Sequence, residues 1–281
     1  MADRSTIEWL ARPDTIAATW NPITGCTQCS AGCLNCYAKR MSKRLAGRHG
    51  YPESPHEFDV TMHPDKLDKP RRWRKLRTVF VCSMSDLFHR DIPFDEIAFV
   101  FHEMARSPQH TYLVLTKRPE EMLAFLKRYR YVCGTEKKPP DPNIWLGTTI
   151  EKPEYSYRAD YLRQCPAAVH FLSLEPLLGS MADYPGIYDG MDWVIAGGES
   201  GTGARPAHPD WFRDIRDRCD VLGIPFFFKQ HGKYLHESQG GCTLPAHLWE
   251  DGTMSSKVGK KAAGHLLDGK EHHEWPNASS T

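Results

Sequence analysis

Thr78-Val79-Phe80-Val81-Cys82, then Phe94 to Met104, then Thr111-Tyr112-Leu113-Val114-Leu115 is the stretch that sets the fold class. The first and last runs are short and apolar throughout, the pattern of strands buried on both faces. Between them, apolar residues fall at Ile97, Ala98, Val100, Phe101 and Met104, the spacing of one helix face. Strand, helix, strand in that order is a βαβ unit, which places the two strands parallel in one sheet.

The same rhythm runs outward in both directions. Downstream, a helix is expected from Pro119 through Met122, Leu123, Phe125 and Leu126, with proline at the favoured first position. Strands follow at 143–147, 169–173, 193–196 and 225–228, with helices expected around 155–163 and 209–222. Upstream, Ile16–Trp20 reads as one more strand. The fold class is therefore α/β. Six or seven βα units fit a partial, TIM-like (β/α) barrel with extensions at both ends, and a doubly wound open sheet is the alternative. In either case ligands gather at the carboxyl ends of the strands. Residues 1–235 are expected to form this domain. Residues 236–281, rich in Gly, Ser, His and Lys, are expected to be a loosely packed extension with a mobile end.

The chain has 281 residues, with 40% apolar and 25% charged, an ordinary balance for a globular protein. No apolar run approaches the roughly 20 residues needed to span a membrane. The first residues lack the apolar core of a secretory signal, so a cytoplasmic location is expected. Net charge is only +1, but two stretches are strongly basic. One carries Lys39, Arg40, Lys43, Arg44 and Arg48 without an acid; the other carries Lys66, Lys69, Arg71, Arg72, Arg74, Lys75 and Arg77 around Trp73, offset by Asp68. Such runs either contact phosphates or form a solvated surface.

Four of nine cysteines crowd into Cys26-Thr27-Gln28-Cys29-Ser30-Ala31-Gly32-Cys33-Leu34-Asn35-Cys36. Thiolates are soft ligands that suit zinc and iron–sulfur clusters. Structural zinc sites pair two cysteine knuckles separated by a dozen or more residues, and no second knuckle is evident here. A single loop of closely spaced cysteines favours an iron–sulfur cluster. Four ligands would close the cluster; three would leave one iron open to a substrate. Chemistry alone leaves that choice open.

Other polar groups fall at expected strand ends. These are Ser83, Ser85 and Asp86; Thr116, Lys117 and Arg118; Glu151; Glu175; Gly197-Gly198-Glu199-Ser200; and Lys229 with His231. Paired glycines let a backbone approach a ligand closely. Cys82 is a buried strand-end thiol or a hydrogen-atom donor, and His89 is a candidate for proton transfer.

Several blocks together carry a family resemblance. They include Ile7-Glu8-Trp9, Thr19-Trp20-Asn21-Pro22, Asn35-Cys36-Tyr37-Ala38, Ser83-Met84-Ser85-Asp86-Leu87-Phe88-His89, Leu115-Thr116-Lys117-Arg118-Pro119, Phe171-Leu172-Ser173-Leu174-Glu175-Pro176, Gly197-Gly198-Glu199-Ser200-Gly201 and Phe226-Phe227-Phe228-Lys229-Gln230. The chain resembles the radical S-adenosyl-L-methionine (SAM) superfamily, and within it a phage- and prophage-associated branch with a Cys-x6-Cys-x2-Cys motif. That resemblance implies a partial barrel and a four-iron, four-sulfur (4Fe-4S) cluster on Cys26, Cys33 and Cys36, with Cys29 a neighbour. It implies SAM at the open iron and its reductive cleavage to a 5′-deoxyadenosyl radical. It also implies an external electron donor of the flavodoxin or ferredoxin type. Tyr37, Ser83, Ser85, Asp86, Thr116, Lys117, Arg118, Glu151, Gly197, Gly198, Glu199 and Ser200 are then candidates to hold SAM. Glu175, Glu199, Lys229 and Cys82 are candidates to act in catalysis. The expected substrate is a DNA base, a modified thymidine in a phage pathway. The alternatives are a peptide or small-molecule substrate, or a non-catalytic zinc or iron–sulfur protein that binds nucleic acid.

Overall fold

A computed structural model describes residues 4–138, 140–241 and 246–276. The strands are β1 (Ile16–Trp20), β2 (Ile23–Thr24), β3 (Thr61–Met62), β4 (Arg77–Val81), β5 (Thr111–Thr116), β6 (Ile144–Thr149), β7 (His170–Leu174), β8 (Trp193–Gly197), β9 (Phe226–Gln230), β10 (Tyr234–His236), β11 (Ala246–Leu248) and β12 (Met254–Lys257). The α-helices are α1 (Tyr37–Leu45), α2 (Phe94–Ala105), α3 (Pro119–Val132), α4 (Arg158–Arg163), α5 (Pro209–Leu222) and α6 (Lys260–Ala263).

One seven-stranded sheet has the order β1-β4-β5-β6-β7-β8-β9. Its strands advance in a single direction, without the reversal that defines a doubly wound sheet. This is the order of a partial (β/α) barrel. β1 with β4, β4 with β5, β5 with β6, β7 with β8 and β8 with β9 all pair parallel. All six positions of β6 and all five of β8 are buried, as expected for strands covered on both faces.

By its internal contacts the chain divides into two compact units. The first comprises Met1–Ser30, Cys36–Thr148 and Asp160–His170; the second comprises Ala31–Asn35, Thr149–Ala159 and Phe171–Thr281.

In the first unit, α2 buries Ile97, Val100, Phe101 and Met104, and α3 buries Met122, Leu123, Phe125 and Leu126. The Phe101 and Phe125 rings meet at 5.1 Å. Asp95 and Glu96 open α2, and Glu120 and Glu121 open α3, so carboxylates face the positive end of each helix dipole. The fully buried Trp20 keeps a partner for its indole N–H in the Lys66 carbonyl at 2.7 Å.

In the second unit, α5 starts at Pro209 behind an N-cap formed by His208, whose ring accepts the Asp210 N–H. It ends at Gly223, whose φ of 67° gives the left-handed cap that glycine adopts without strain. Its Phe212 packs on Phe228 of β9 at 4.9 Å. Burying a large apolar side chain of this kind stabilises the fold by about 1.5–3 kcal/mol.

Both outer strands of the sheet receive backbone hydrogen bonds from neighbouring segments, which blunts edges that would template aggregation. Ser5 donates its N–H to the Ala17 carbonyl of β1 at 2.8 Å. Residues 272–274, inside the stretch expected to pack loosely, run antiparallel along β9. Phe228 N–H donates to the His272 carbonyl at 2.8 Å, and Glu274 N–H to the Phe226 carbonyl at 3.2 Å. The His273 ring stacks on Phe227 at 4.3 Å. Residues 234–257 add a separate three-stranded sheet, β10-β12-β11. The end expected to be mobile, 277–281, lies outside the described residues.

Removing residues 271–281 is expected to open the β9 edge. Hydrogen exchange at the Phe228 amide then accelerates by more than about tenfold relative to core amides such as Ile195. Unchanged protection at Phe228 would contradict the edge pairing.

Candidate active site

In the first unit the start of the cysteine loop and the residues before it are anchored by hydrogen bonds to the turn that ends β4. Asn21 Oδ1 accepts from Met84 N–H at 3.0 Å and from the Ser83 hydroxyl at 3.2 Å. Gly25 N–H donates to the Met84 carbonyl at 3.0 Å, and the Ser85 hydroxyl donates back to the Gly25 carbonyl at 2.6 Å. Gly25 has φ of 86°, and a Cβ there would fall 2.0 Å from the Asp59 carbonyl. Only glycine fits directly before Cys26.

Asp86, buried at 6% exposure, is saturated. Its Oδ1 accepts from Thr116 Oγ1 at 2.6 Å and Phe88 N–H at 3.1 Å; its Oδ2 accepts from Lys117 N–H at 3.1 Å and Arg118 Nη1 at 3.0 Å. A carboxylate with two donors on each oxygen has little left for a ligand. Its work is to aim Arg118. That guanidinium reaches Cys26 Sγ at 3.5 Å and the Thr27 carbonyl at 2.9 Å. Burial pushes the guanidinium pKa down, but Asp86 and the Cys26 and Cys29 sulfurs outweigh this and hold it above its ordinary range.

His89 is 1% exposed. Its Nδ1 accepts from Asp91 N–H at 3.2 Å, which leaves the proton on Nε2, 2.7 Å from Thr27 Oγ1. Burial, and next the Arg118 charge, lower its pKa. Thr27 is thus pinned by both Arg118 and His89. Cys82, with φ of 55°, turns the chain out of β4; it is buried, and burial pushes its thiol up to about 12. Cys36 is the N-cap of α1, its Sγ accepting Lys39 N–H at 3.5 Å. Ala38, Tyr51 and Met84 form a small core under α1, with Cys36, Met41, Leu45 and Phe58 packed around it. The Tyr37 ring points outward and is 59% exposed.

In the second unit, each of the three strand-end glutamates has a cationic partner. Glu151 and Arg158 are fully buried, 2.9 Å apart, and Arg158 also donates to the Thr149 carbonyl at 2.8 Å. A Cβ on Gly32 would fall 2.4 Å from Glu151 Oε1, so the glycine before Cys33 leaves room for that carboxylate. Glu175 accepts from Lys229 Nζ at 2.8 and 2.9 Å. Gln230 Nε2 donates to the Gly198 carbonyl at 2.8 Å, and its buried Oε1 has no hydrogen-bond partner among the described residues. Gly197 lies against the Glu175 carboxylate, and a Cβ on Gly198 would fall 2.0 Å from the His231 carbonyl.

Glu199 accepts from Arg205 through Nη2 at 2.6 Å, Nε at 2.8 Å and the backbone N–H at 2.8 Å. Burial raises its carboxyl pKa, but the Arg205 hydrogen bonds prevail and hold it below the usual carboxylate range. Arg205 Nη2 continues to the Ala31 carbonyl at 3.1 Å. Ala31 N–H donates to Tyr155 Oη at 3.1 Å, and Asn35 Nδ2 to the Gly203 carbonyl at 2.8 Å. The segment carrying Cys33 is therefore held at both ends. Ser200 is half-buried beside this network.

Arg158 and Arg205 are partners of the candidate glutamates that the sequence reading missed. They lie seven and six residues beyond the glutamates they pair with, and the intervening loops carry no periodic signal that would link them.

Among the described residues, no disulfide involves Cys26, Cys29, Cys33 or Cys36. No three His, Cys, Asp or Glu side chains among the described residues are already arranged to hold a metal ion. The loop supplies a thiol donor set of the kind soft metals take, with glycines and arginines fixing its backbone.

A family model described as "Protein of unknown function (DUF5131)" matches residues 4–276. The chain belongs to the DUF5131 family. No curated protein matches it. Two solved structures are similar. One is titled "Spore photoproduct lyase complexed with dinucleoside spore photoproduct", at 10% identity and TM-score 0.44. The other is a mutant of spore photoproduct lyase, at 10% identity and TM-score 0.42. Each alignment covers 92% of this chain and 74% of the other. Among the described residues of this DUF5131 protein, no helix is long and apolar enough to cross a membrane.

Arg118→Gln is expected to strand the buried Asp86 charge and release Thr27, at a cost of about 3 kcal/mol in urea unfolding. A loss below about 0.5 kcal/mol would contradict the clamp. Stability should also fall with acid. Burial is the leading cause that lowers the pKa of His63, His89 and His231 below their ordinary 6.5. The unfolded chain then binds more protons below that value, so stability is full above pH 6.5 and declines as pH falls toward 5. Urea midpoints at pH 7.5 and 5.5 measure this, and equal midpoints would refute it.

Proposed function

We propose that this protein is a radical SAM enzyme. Cys26, Cys33 and Cys36 would hold a 4Fe-4S cluster, SAM would bind beside it, and the substrate would be a base of DNA. The observation that carries this reading is the Asp86–Arg118 clamp, which places a guanidinium 3.5 Å from Cys26 Sγ. A fixed cation beside a cysteine sulfur favours the thiolate over the thiol, and thiolate is the form that binds metal. When bound, the cluster supplies the electron that cleaves SAM to methionine and a 5′-deoxyadenosyl group; a flavodoxin- or ferredoxin-type donor would replenish it.

The remaining residues have roles of binding and orientation. With Asp86 saturated, carbonyls of the Ser83–Ser85 turn are the better acceptors for the SAM ammonium. Arg118, whose Nη donors go to Asp86, Cys26 and Thr27, would steady the loop beside the cluster rather than take the SAM carboxylate. Gly197 and Gly198 allow close backbone approach. The unpartnered Gln230 Oε1 is an acceptor that a ligand donor would satisfy. Glu175 and Lys229, partly exposed at 19% and 17%, form a polar pair able to hold a substrate amine or carboxylate. Glu199, locked to Arg205, positions the loop instead of exchanging protons. The restriction to a DNA base, and to a phage modification pathway, comes from the sequence resemblance together with the basic segments.

The test is anaerobic reconstitution with iron and sulfide, followed by SAM, a reductant and chromatographic detection of 5′-deoxyadenosine. Wild type and Cys29→Ala are expected to form it. Cys26→Ala, Cys33→Ala and Cys36→Ala should fall at least about a thousandfold, since loss of a ligand removes the chemistry. Equal product from all four variants would end the assignment.

A further inference from the structure

The two basic stretches, indistinguishable as charge runs, are used differently by the fold. In the second, Arg72 pairs with Asp68 at 2.6 Å and Arg71 with Glu103 at 2.7 Å. Arg77 is buried and stacks on Trp73 at 4.6 Å, and Lys66 donates to the His49 carbonyl at 2.9 Å. Much of that charge is spent on holding the chain together.

The first stretch is organised otherwise. α1 buries Ala38 and Ser42 and turns Met41 and Leu45 toward the same small core. At 100° per residue these four occupy one side of the helix. The opposite arc then carries Lys39, Lys43, Arg40, Arg44 and Tyr37 in angular order. Lys39, Lys43 and Arg44 are exposed, and no ion pair involving them is found among the described residues. There is no acid in the helix. Tyr37 is 59% exposed at the end of the helix next to Cys36.

A solvated surface helix normally intersperses charges of both signs, which stabilise one another at i,i+4 spacing. Here Lys39 with Lys43, and Arg40 with Arg44, are like-charge i,i+4 pairs, which destabilise an isolated helix. Anionic groups from outside the helix would stabilise the exposed Lys39, Lys43 and Arg44. A row of cations ending in an exposed aromatic ring is the combination that holds single-stranded nucleic acid: cations track phosphates, and the ring stacks on a base.

We infer that the outer face of α1 binds single-stranded DNA, with Lys39, Lys43 and Arg44 on successive phosphates and a base stacked on Tyr37 beside Cys36. This deepens the proposed function and rests on it for the choice of DNA. It assigns to α1 the task of leading a strand to the cysteine loop. A duplex would have to open locally to satisfy the same contacts.

The experiment is fluorescence anisotropy with a labelled 12-nucleotide single-stranded DNA, repeated across salt concentrations. The proteins are full-length wild type, Lys39→Gln/Lys43→Gln/Arg44→Gln and Tyr37→Ala, each checked for native circular dichroism. Loss of three phosphate contacts should lower the slope of log affinity against log salt by about two. Tyr37→Ala should weaken binding about tenfold with the slope unchanged. As a control away from α1, Arg74→Gln/Lys75→Gln should bind as wild type does. Wild-type affinity in the triple variant would overturn the inference, as would tighter binding to duplex DNA or RNA of the same length. These outcomes need no cluster and no SAM. Failure here with 5′-deoxyadenosine still formed removes the α1 surface and leaves the enzyme reading. Binding here without 5′-deoxyadenosine does the reverse.

Discussion

The buried ion pair of Asp86 and Arg118 is the constraint on which the first half of the cysteine loop depends. Asp86 gathers donors from its own turn and from the end of β5, so two adjacent strands share one carboxylate. Taking such a pair out of water is costly, and the cost is offset only when every lone pair and proton is satisfied. Asp86 meets that condition fully. Arg118 meets it by reaching past Asp86 to Cys26 and Thr27. The loop is therefore part of what makes the buried pair tolerable, and the pair in turn fixes the loop. The contacts run both ways, which is how a Gly-, Ser- and Thr-rich segment is tied to the end of β5.

The same device recurs in the second unit with different residues. Glu199 accepts three hydrogen bonds from Arg205, and Arg205 Nη2 also donates to the Ala31 carbonyl. Glu151 is paired with Arg158 and lies against Gly32. In each unit a carboxylate at a strand end orients an arginine, and the arginine grips the backbone of the cysteine segment. Asp86 and Glu199 thus each hold an arginine against the backbone of the cysteine segment. The Glu175–Lys229 pair differs, because its lysine grips no loop backbone and both side chains keep some exposure.

Much of this was legible in the sequence. Strand positions followed from short apolar runs, because a sheet covered on both faces requires them. α5 was readable almost to the residue, since Pro209 and Gly223 mark its ends by backbone geometry alone. The cysteine loop and the polar groups at strand ends were likewise visible as residue types at turns. The partners of those groups were not. Asp86 read as an acceptor for a ligand ammonium, yet its four donors come from residues whose approach depends on how β4 and β5 align. Arg158 and Arg205 were missed because loop paths, which carry no period, decide their contacts. The two basic runs looked alike because charge counts do not record that Arg77 is buried on Trp73 while Lys43 is exposed on α1.

On the proposed reading, this clamped loop carries an iron–sulfur cluster that meets SAM. Low-temperature electron paramagnetic resonance of the anaerobically reconstituted, dithionite-reduced protein tests it most directly, with iron and acid-labile sulfide determined on the same sample. About four irons and four sulfides per chain are expected, with a reduced-cluster signal whose g values shift when SAM is added, as an open iron position requires. Stoichiometric zinc with no paramagnetic signal, or a cluster signal that SAM leaves unchanged, would contradict it.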